Sequence, residues 1–117
     1  YDEARAAEIP SYYRKRYCRK GVRSMAGFFT FTPEIRAAIQ FQRLNLIEDR
    51  FPAEKMDCVF LRNVMIYFNQ ETRRRLVSRL AEAIPAGGYL LVGHSETLHG
   101  VNEGQFRLRQ PSVYERV

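Results

Sequence analysis

The segment that most restricts the fold is residues 57–93. It opens on Asp57-Cys58-Val59-Phe60-Leu61, where Val59 to Leu61 form a short apolar run. Such a run reads as a strand buried on both faces. It stops at a polar pair, Arg62-Asn63, followed by Val64-Met65-Ile66-Tyr67-Phe68. Asn69 then suits a helix N-cap, and Glu71 suits the first turn. Leu76, Leu80 and Ile84 recur every four residues, with Val77 and Ala81 beside them. That spacing predicts an amphipathic helix near Gln70–Ile84, ended by Pro85 and Gly87-Gly88. Tyr89-Leu90-Leu91-Val92-Gly93 reads as a second buried strand, closing on His94-Ser95-Glu96. Strand, helix and strand at this spacing make a βαβ crossover, with parallel strands and a right-handed connection. The expected fold class is therefore α/β. In open α/β sheets, ligands bind beyond the carboxyl ends of the strands. Arg62 and Asn63 are candidate ligand contacts on that ground; a helix cap plus a surface charge is the plainer alternative.

The rest of the chain is read around this unit. Tyr1 to Ile9 is polar and Ala-rich, a turn or short helix. Pro10 suits the first turn of another helix, with Tyr12, Tyr13, Arg16 and Tyr17 on one half-buried side. Phe28-Phe29-Thr30-Phe31-Thr32 is aromatic and β-branched, so a strand is expected, and Pro33 breaks it. Ile39 to Leu46 alternates apolar and polar, the pattern of a half-buried strand. A charged connection runs from Ile47 to Lys55, and a polar loop from Thr97 to Gly104. Two short strands joined through Gln110-Pro111 close the chain.

Composition narrows the function. With 117 residues, the chain has material for one small domain with a modest core. No apolar run approaches the ~18 residues of a membrane span. Cys18 and Cys58 form no disulfide framework and have no metal-ligand spacing with His94 and His99, so free thiols in a reducing cytosol are expected. Net charge is +6. Arg14, Lys15, Arg16, Arg19, Lys20 and Arg23 lie between Ser11 and Ala26, where there is no acid. The remaining thirteen basic residues balance thirteen acidic ones. A patch of this kind is a docking surface for something acidic: nucleic acid, anionic lipid or protein.

Two elements taken together carry a resemblance. Arg-Asn-Val-Met-Ile-Tyr-Phe at 62–68, then a helix, then Pro-Ala-Gly-Gly-Tyr-Leu-Leu-Val-Gly-His-Ser-Glu at 85–96, resembles the CheR family of chemotaxis receptor methyltransferases. Phe106-Arg107-Leu108-Arg109 with Ser112-Val113-Tyr114 is similar to that family's final hairpin. The resemblance is good from about Ile39 onward and looser before. It implies the C-terminal half of a class I S-adenosylmethionine-dependent methyltransferase (Rossmann-like) sheet, with a small antiparallel β subdomain inserted. The implied division is a connecting helical segment at 1–17, the subdomain at 18–41 and the half-domain at 42–117. The subdomain's strands would lie near Cys18–Lys20, Phe28–Thr32 and Ile39–Leu44. The implied activity is methyl transfer from S-adenosylmethionine to glutamate side chains in the cytoplasmic helical bundle of chemoreceptors. Asn45 and Leu46 would lie beside the adenine, and Arg62 and Asn63 would line the cofactor pocket. Tyr67 would face the target glutamate. Residues Cys18 to Gly27 lack the Gly-x-Gly of peptide-binding members, which argues against capture of a receptor tail. The family's glycine- and acid-containing cofactor loop and its helical N-terminal domain belong upstream of Tyr1. The chain, which opens without Met, is thus expected to be a cytoplasmic fragment, inactive alone, with an unpaired sheet edge through which it could self-associate.

The chemistry is undemanding in catalytic groups. A glutamate carboxylate is already ionised at neutral pH, so the protein has chiefly to position it and exclude water. A phenol at Tyr67 would orient one carboxylate oxygen while the other attacks. Each residue has a plainer alternative: Tyr67 as core packing, Asn45 as a turn residue, His94 and Glu96 as shapers of the turn after the second strand. For Arg14, Arg16, Arg19, Lys20 and Arg23 the favoured partner is an acidic receptor surface; nucleic acid, with the tyrosines as stacking platforms, is disfavoured. The rival to the enzyme is a non-catalytic, truncated methyltransferase-like module that docks on an acidic helical protein.

Overall fold

The computed structural model describes residues 1–52, 54–101 and 104–117. The chain divides into two compact units, Tyr1–Arg43 and Leu44–Val117.

The first unit is small. Helices α1 (Glu3–Ala6) and α2 (Ser11–Tyr17) precede strand β1 (Cys18–Lys20), which pairs antiparallel with β2 (Phe29–Phe31). The Asp2 side chain caps α1 by accepting from the Ala4 amide at 2.8 Å. The Tyr1 ring packs on Phe29 and Phe31 at 5.5 and 5.6 Å, and the Tyr1 amino group donates to the Phe29 carbonyl at 2.9 Å. Two expectations fail here. No strand forms at Ile39–Leu46. Pro33 instead starts helix α3 (Pro33–Ala37), since its fixed φ suits a first helical turn, and the alternating residues that follow have no partner strand among the described residues. Ile39 and Phe41 are exposed. Of the tyrosines of α2, Tyr17 is half-buried as expected and stacks on Tyr13 at 6.4 Å, but the other two are not. Tyr12 and Tyr13 stand in solvent and contact each other edge-on at 5.4 Å.

The second unit contains the βαβ crossover. Strand β3 (Cys58–Leu61) pairs parallel with β4 (Tyr89–Val92), and helix α4 (Gln70–Ala83) connects them. Asn69 caps α4, its Oδ1 accepting from the Thr72 amide at 2.9 Å. Strands β5 (Phe106–Gln110) and β6 (Val113–Arg116) form the closing hairpin, and the sheet order is β3-β4-β6-β5. Gly87, at φ +84°, makes the turn into β4 that a side chain would strain. Leu76, Val77, Leu80 and Ile84 pack onto Leu61, Leu90, Val92 and Tyr114. Burying a Leu or Val fully stabilises by about 1.5–3 kcal/mol, so this face fixes the helix on the sheet. Leu98 and Val101 join the same core, so the loop after β4 is not simply polar; its Asn102 and Glu103 lie outside the described residues, as does Ala53 of the charged connection.

Strand β3 is buried on one face only. Leu61 faces the core, whereas Phe60, one residue earlier and on the other side of the pleat, is 70% exposed. An apolar run of three residues does not by itself distinguish one covered face from two. Helix α4 covers a single face, and β3 is an edge of the sheet.

Candidate functional site

At the carboxyl end of β3 the chain enters a loop, residues 62–64, and a 3₁₀ turn at Met65–Tyr67. Asn63 has φ +58°, a left-handed conformation that Asn tolerates better than most residues. The loop is held from two sides. Arg73 of α4 donates through Nε to the Met65 carbonyl at 2.8 Å. From β4's end, the Glu96 carboxylate accepts four backbone amides. Oε2 takes those of Asn63 at 2.8 Å and Gly93 at 2.7 Å. Oε1 takes those of Met65 at 2.7 Å and Ile66 at 3.3 Å.

Glu96 is only 9% exposed. Burial pushes its carboxyl up, but the amides of Gly93, Asn63, Met65 and Ile66 together outweigh this and hold it below the usual carboxylate range. It is therefore an anion at neutral pH. Gly93 has no room for a side chain. A Cβ there would lie 2.4 Å from Asn63 Oδ1, 2.7 Å from Glu96 Oε2 and 2.9 Å from the Asn63 nitrogen. The two strand ends thus touch through Gly93, with Glu96 binding them together.

The site residues expected from the sequence separate into three groups. Arg62, Asn63 and Tyr67 share the loop. All three are exposed, Tyr67 by 80%, so Tyr67 is not core packing. Among the described residues, neither the Arg62 guanidinium nor the Tyr67 hydroxyl has a hydrogen-bond partner. Asn45 and Leu46 form a separate turn, and their polar groups are engaged. Asn45 Oδ1 accepts from the Ile47 amide at 2.9 Å, and its Nδ2 donates to Glu48 at 3.2 Å. Arg79 Nη1 of α4 donates to the Leu46 carbonyl at 2.7 Å and the Ile47 carbonyl at 2.9 Å. Among the described residues, no hydrogen bond joins this turn to the Arg62–Tyr67 loop. The basic segment belongs to the first unit. Arg14 donates to the Ala6 carbonyl at 3.4 Å, Arg16 to the Tyr12 hydroxyl at 3.1 Å, and Lys20 pairs with Glu3. Arg19 and Arg23 extend into solvent without an ion-pair partner among the described residues.

Glu96 and Arg79 exceed what the sequence indicated. Glu96 shapes its own turn through Gly93, as the sequence suggests, and it also reaches a loop some thirty residues earlier. An acid placed three residues after a strand-end glycine is the signal that could have exposed it. Arg79 resembles any other arginine on a charged helix face, and nothing local marks its target.

The fold and this loop define a class: an α/β protein that presents exposed polar side chains at the carboxyl end of a parallel strand. The chain belongs to the CheR family, matching "CheR methyltransferase, SAM binding domain" over residues 1–114. The methyl donor bound by that domain is S-adenosylmethionine. The chain is 32% identical over 117 residues to the chemotaxis protein methyltransferase of Borreliella burgdorferi, covering 99% of this chain and 40% of that protein. It is 35% identical over 97 residues to chemotaxis protein methyltransferase 2 of Pseudomonas aeruginosa, covering 82% and 35%. With the chemotaxis protein methyltransferase of Escherichia coli it shares 33% over 101 residues, covering 86% and 35%. The chain thus spans well under half the length of these relatives. No helix among the described residues is long and apolar enough to cross a membrane.

Proposed function

We propose that the chain is the C-terminal part of a cytoplasmic, S-adenosylmethionine-dependent enzyme that methylates glutamate side chains of a chemoreceptor's helical bundle. The family match and the similarity to three chemotaxis methyltransferases support the reaction class. One structural observation carries the assignment of the site: Arg62, Asn63 and Tyr67 stand exposed, their side chains without a hydrogen-bond partner among the described residues, on one loop whose backbone is held by a buried carboxylate. Polar groups kept free of internal partners on a fixed backbone are what a ligand site requires. On this reading the half-domain is 42–117, with a Rossmann-like sheet completed by further strands against the β3 edge. Residues 18–41 are the inserted subdomain, with two strands where three were expected.

The residues present suit the cofactor. The Arg62 guanidinium matches a carboxylate such as that of the methionine moiety, and the Asn63 amide offers both a donor and an acceptor to an adenine or ribose edge. Leu46, half-buried against the core, presents apolar surface, whereas Asn45 contributes through the turn its side chain holds. When bound, S-adenosylmethionine supplies a methyl group activated on a sulfonium. The protein's part is to place the acceptor. Tyr67, free at its hydroxyl, donates to one oxygen of the glutamate carboxylate and leaves the other to attack. No base is needed, since the carboxylate is already ionised. Arg19 and Arg23, two members of the basic segment without an ion-pair partner among the described residues, attract the acidic receptor surface. The unpaired edge of β3 is a surface on which the isolated chain self-associates.

The test is calorimetric titration of the full-length protein with S-adenosylhomocysteine. One site per molecule is expected, weakened by Arg62→Ala and by Asn63→Ala. Binding that is absent, or indifferent to both substitutions, refutes the site.

A further inference from the structure

We propose that Glu96 is a positioning residue for cofactor binding: its carboxylate is a built-in anion that sets the conformation of the Arg62–Tyr67 loop. This rests on the reading of that loop as the cofactor site.

The geometry separates Glu96 from an ordinary turn residue. A turn-shaping acid would satisfy only amides beside it in sequence. Glu96 does this once, at Gly93, and spends its other three bonds on Asn63, Met65 and Ile66. Those amides surround the candidate ligand contacts. The bond to the Asn63 nitrogen is made with that residue at φ +58°. The bonds to Met65 and Ile66 fix the start of the 3₁₀ turn that carries Tyr67. A carboxylate is acceptor-only, and it matches a cluster of four donors. An amide in its place would turn an NH₂ group toward two backbone N–H groups, whichever way it were flipped. Half of the cluster would then lose its partner, and the loop would be free to leave the conformation in which Arg62 and Asn63 share one ligand. Preorganisation of this kind acts on affinity by removing the cost of ordering a loop when ligand binds.

The test uses the full-length protein and S-adenosylhomocysteine. Glu96→Gln should raise the dissociation constant at least tenfold, with a stoichiometry near that of wild type. In turnover, the KM for S-adenosylmethionine should rise more than kcat falls. A purely structural role gives another pattern. Partial unfolding lowers the stoichiometry and kcat, while the molecules that remain folded keep their affinity and KM. Val77→Ala, on the core face of α4, serves as the comparison: it should lower the melting temperature and leave the dissociation constant within twofold. An unchanged dissociation constant in Glu96→Gln overturns the proposal. Should Glu96→Gln fail to fold, amide hydrogen exchange on the wild type decides. Saturating ligand should slow exchange at Asn63, Met65, Ile66 and Gly93 together; protection of those four that does not change, or changes at Gly93 alone, overturns the proposal. If the wild type itself does not bind, the assignment of the cofactor site has failed, and this inference with it.

Discussion

Replacing Gly93 by Ala tests the contact between the two strand ends. The added Cβ would meet Asn63 Oδ1 at 2.4 Å, Glu96 Oε2 at 2.7 Å and the Asn63 nitrogen at 2.9 Å. All three are closer than real Cβ contacts come. The Asn63 amide side chain can swing away, since it is exposed. The other two atoms cannot, because the Glu96 oxygen and the Asn63 nitrogen are bonded to each other at 2.8 Å. Overpacking costs about 1–3 kcal/mol, and weakening a hydrogen bond to a charged group adds about 1.5–3 kcal/mol where the bond is lost. Since the loop yields in part, we expect a net destabilisation of about 2–4 kcal/mol. Urea unfolding of the intact protein gives the global figure, and amide exchange at Asn63 and Gly93 gives the local one, because a multidomain protein need not unfold in one step. A loss under about 0.5 kcal/mol, the range of an unremarkable surface substitution, would refute the close approach.

Other expectations follow from the same loop and from the basic segment. Tyr67→Phe should leave S-adenosylhomocysteine affinity nearly unchanged and lower kcat, because only the hydroxyl is withdrawn; full activity in a methylation assay would reduce Tyr67 to a contact. Arg62→Ala or Asn63→Ala should weaken cofactor binding by about 1–3 kcal/mol, the size of removing one polar partner, read by calorimetry. Because the folded Glu96 carboxyl lies below its ordinary value, its contribution to stability is complete above the unfolded pKa of about 4.3 and falls away as pH drops through the lower folded value. Urea midpoints measured down this range should fall less steeply in Glu96→Gln than in wild type. Reversing Arg19 and Arg23 to Glu should raise the KM for receptor and flatten its salt dependence while sparing cofactor affinity, since steering by exposed charges is screened; unchanged salt dependence would make the segment a solvated face.

What the sequence disclosed follows the range of the interactions. Helix α4 was legible from Asn69, the four-residue spacing of Leu76, Leu80 and Ile84, and the Pro85-Gly87-Gly88 stop, all of them local signals. Strands β3 and β4 were legible from their apolar runs, their parallel pairing from the crossover rule, and the closing hairpin from the Gln110-Pro111 turn together with the family resemblance. The strand expected at Ile39–Leu46 rested on alternation and, for Ile39–Leu44, on the family resemblance, and alternation forms a strand only where a partner exists to pair with it. The exposure of Phe60 was hidden for a similar reason: burial is decided by which elements reach each face of the sheet. In the candidate site, the clustering of Arg62, Asn63 and Tyr67 was legible because they are neighbours in sequence. The commitment of Asn45 to its own turn was open as an alternative. The reach of Glu96 to Asn63 and Met65, and of Arg79 to Leu46, spans some thirty residues, and no local pattern records it.

On the proposed function, this chain forms part of an enzyme that esterifies receptor glutamates. The most direct measurement incubates the full-length protein with S-adenosylmethionine carrying a labelled methyl group and a soluble chemoreceptor helical fragment, then locates the label by peptide mass spectrometry. The expected result is label on glutamate side chains as an ester that mild base removes, formed by wild type and much more slowly by Tyr67→Phe. Label resistant to base, label on another residue type, or no label with a protein that still binds S-adenosylhomocysteine would contradict it.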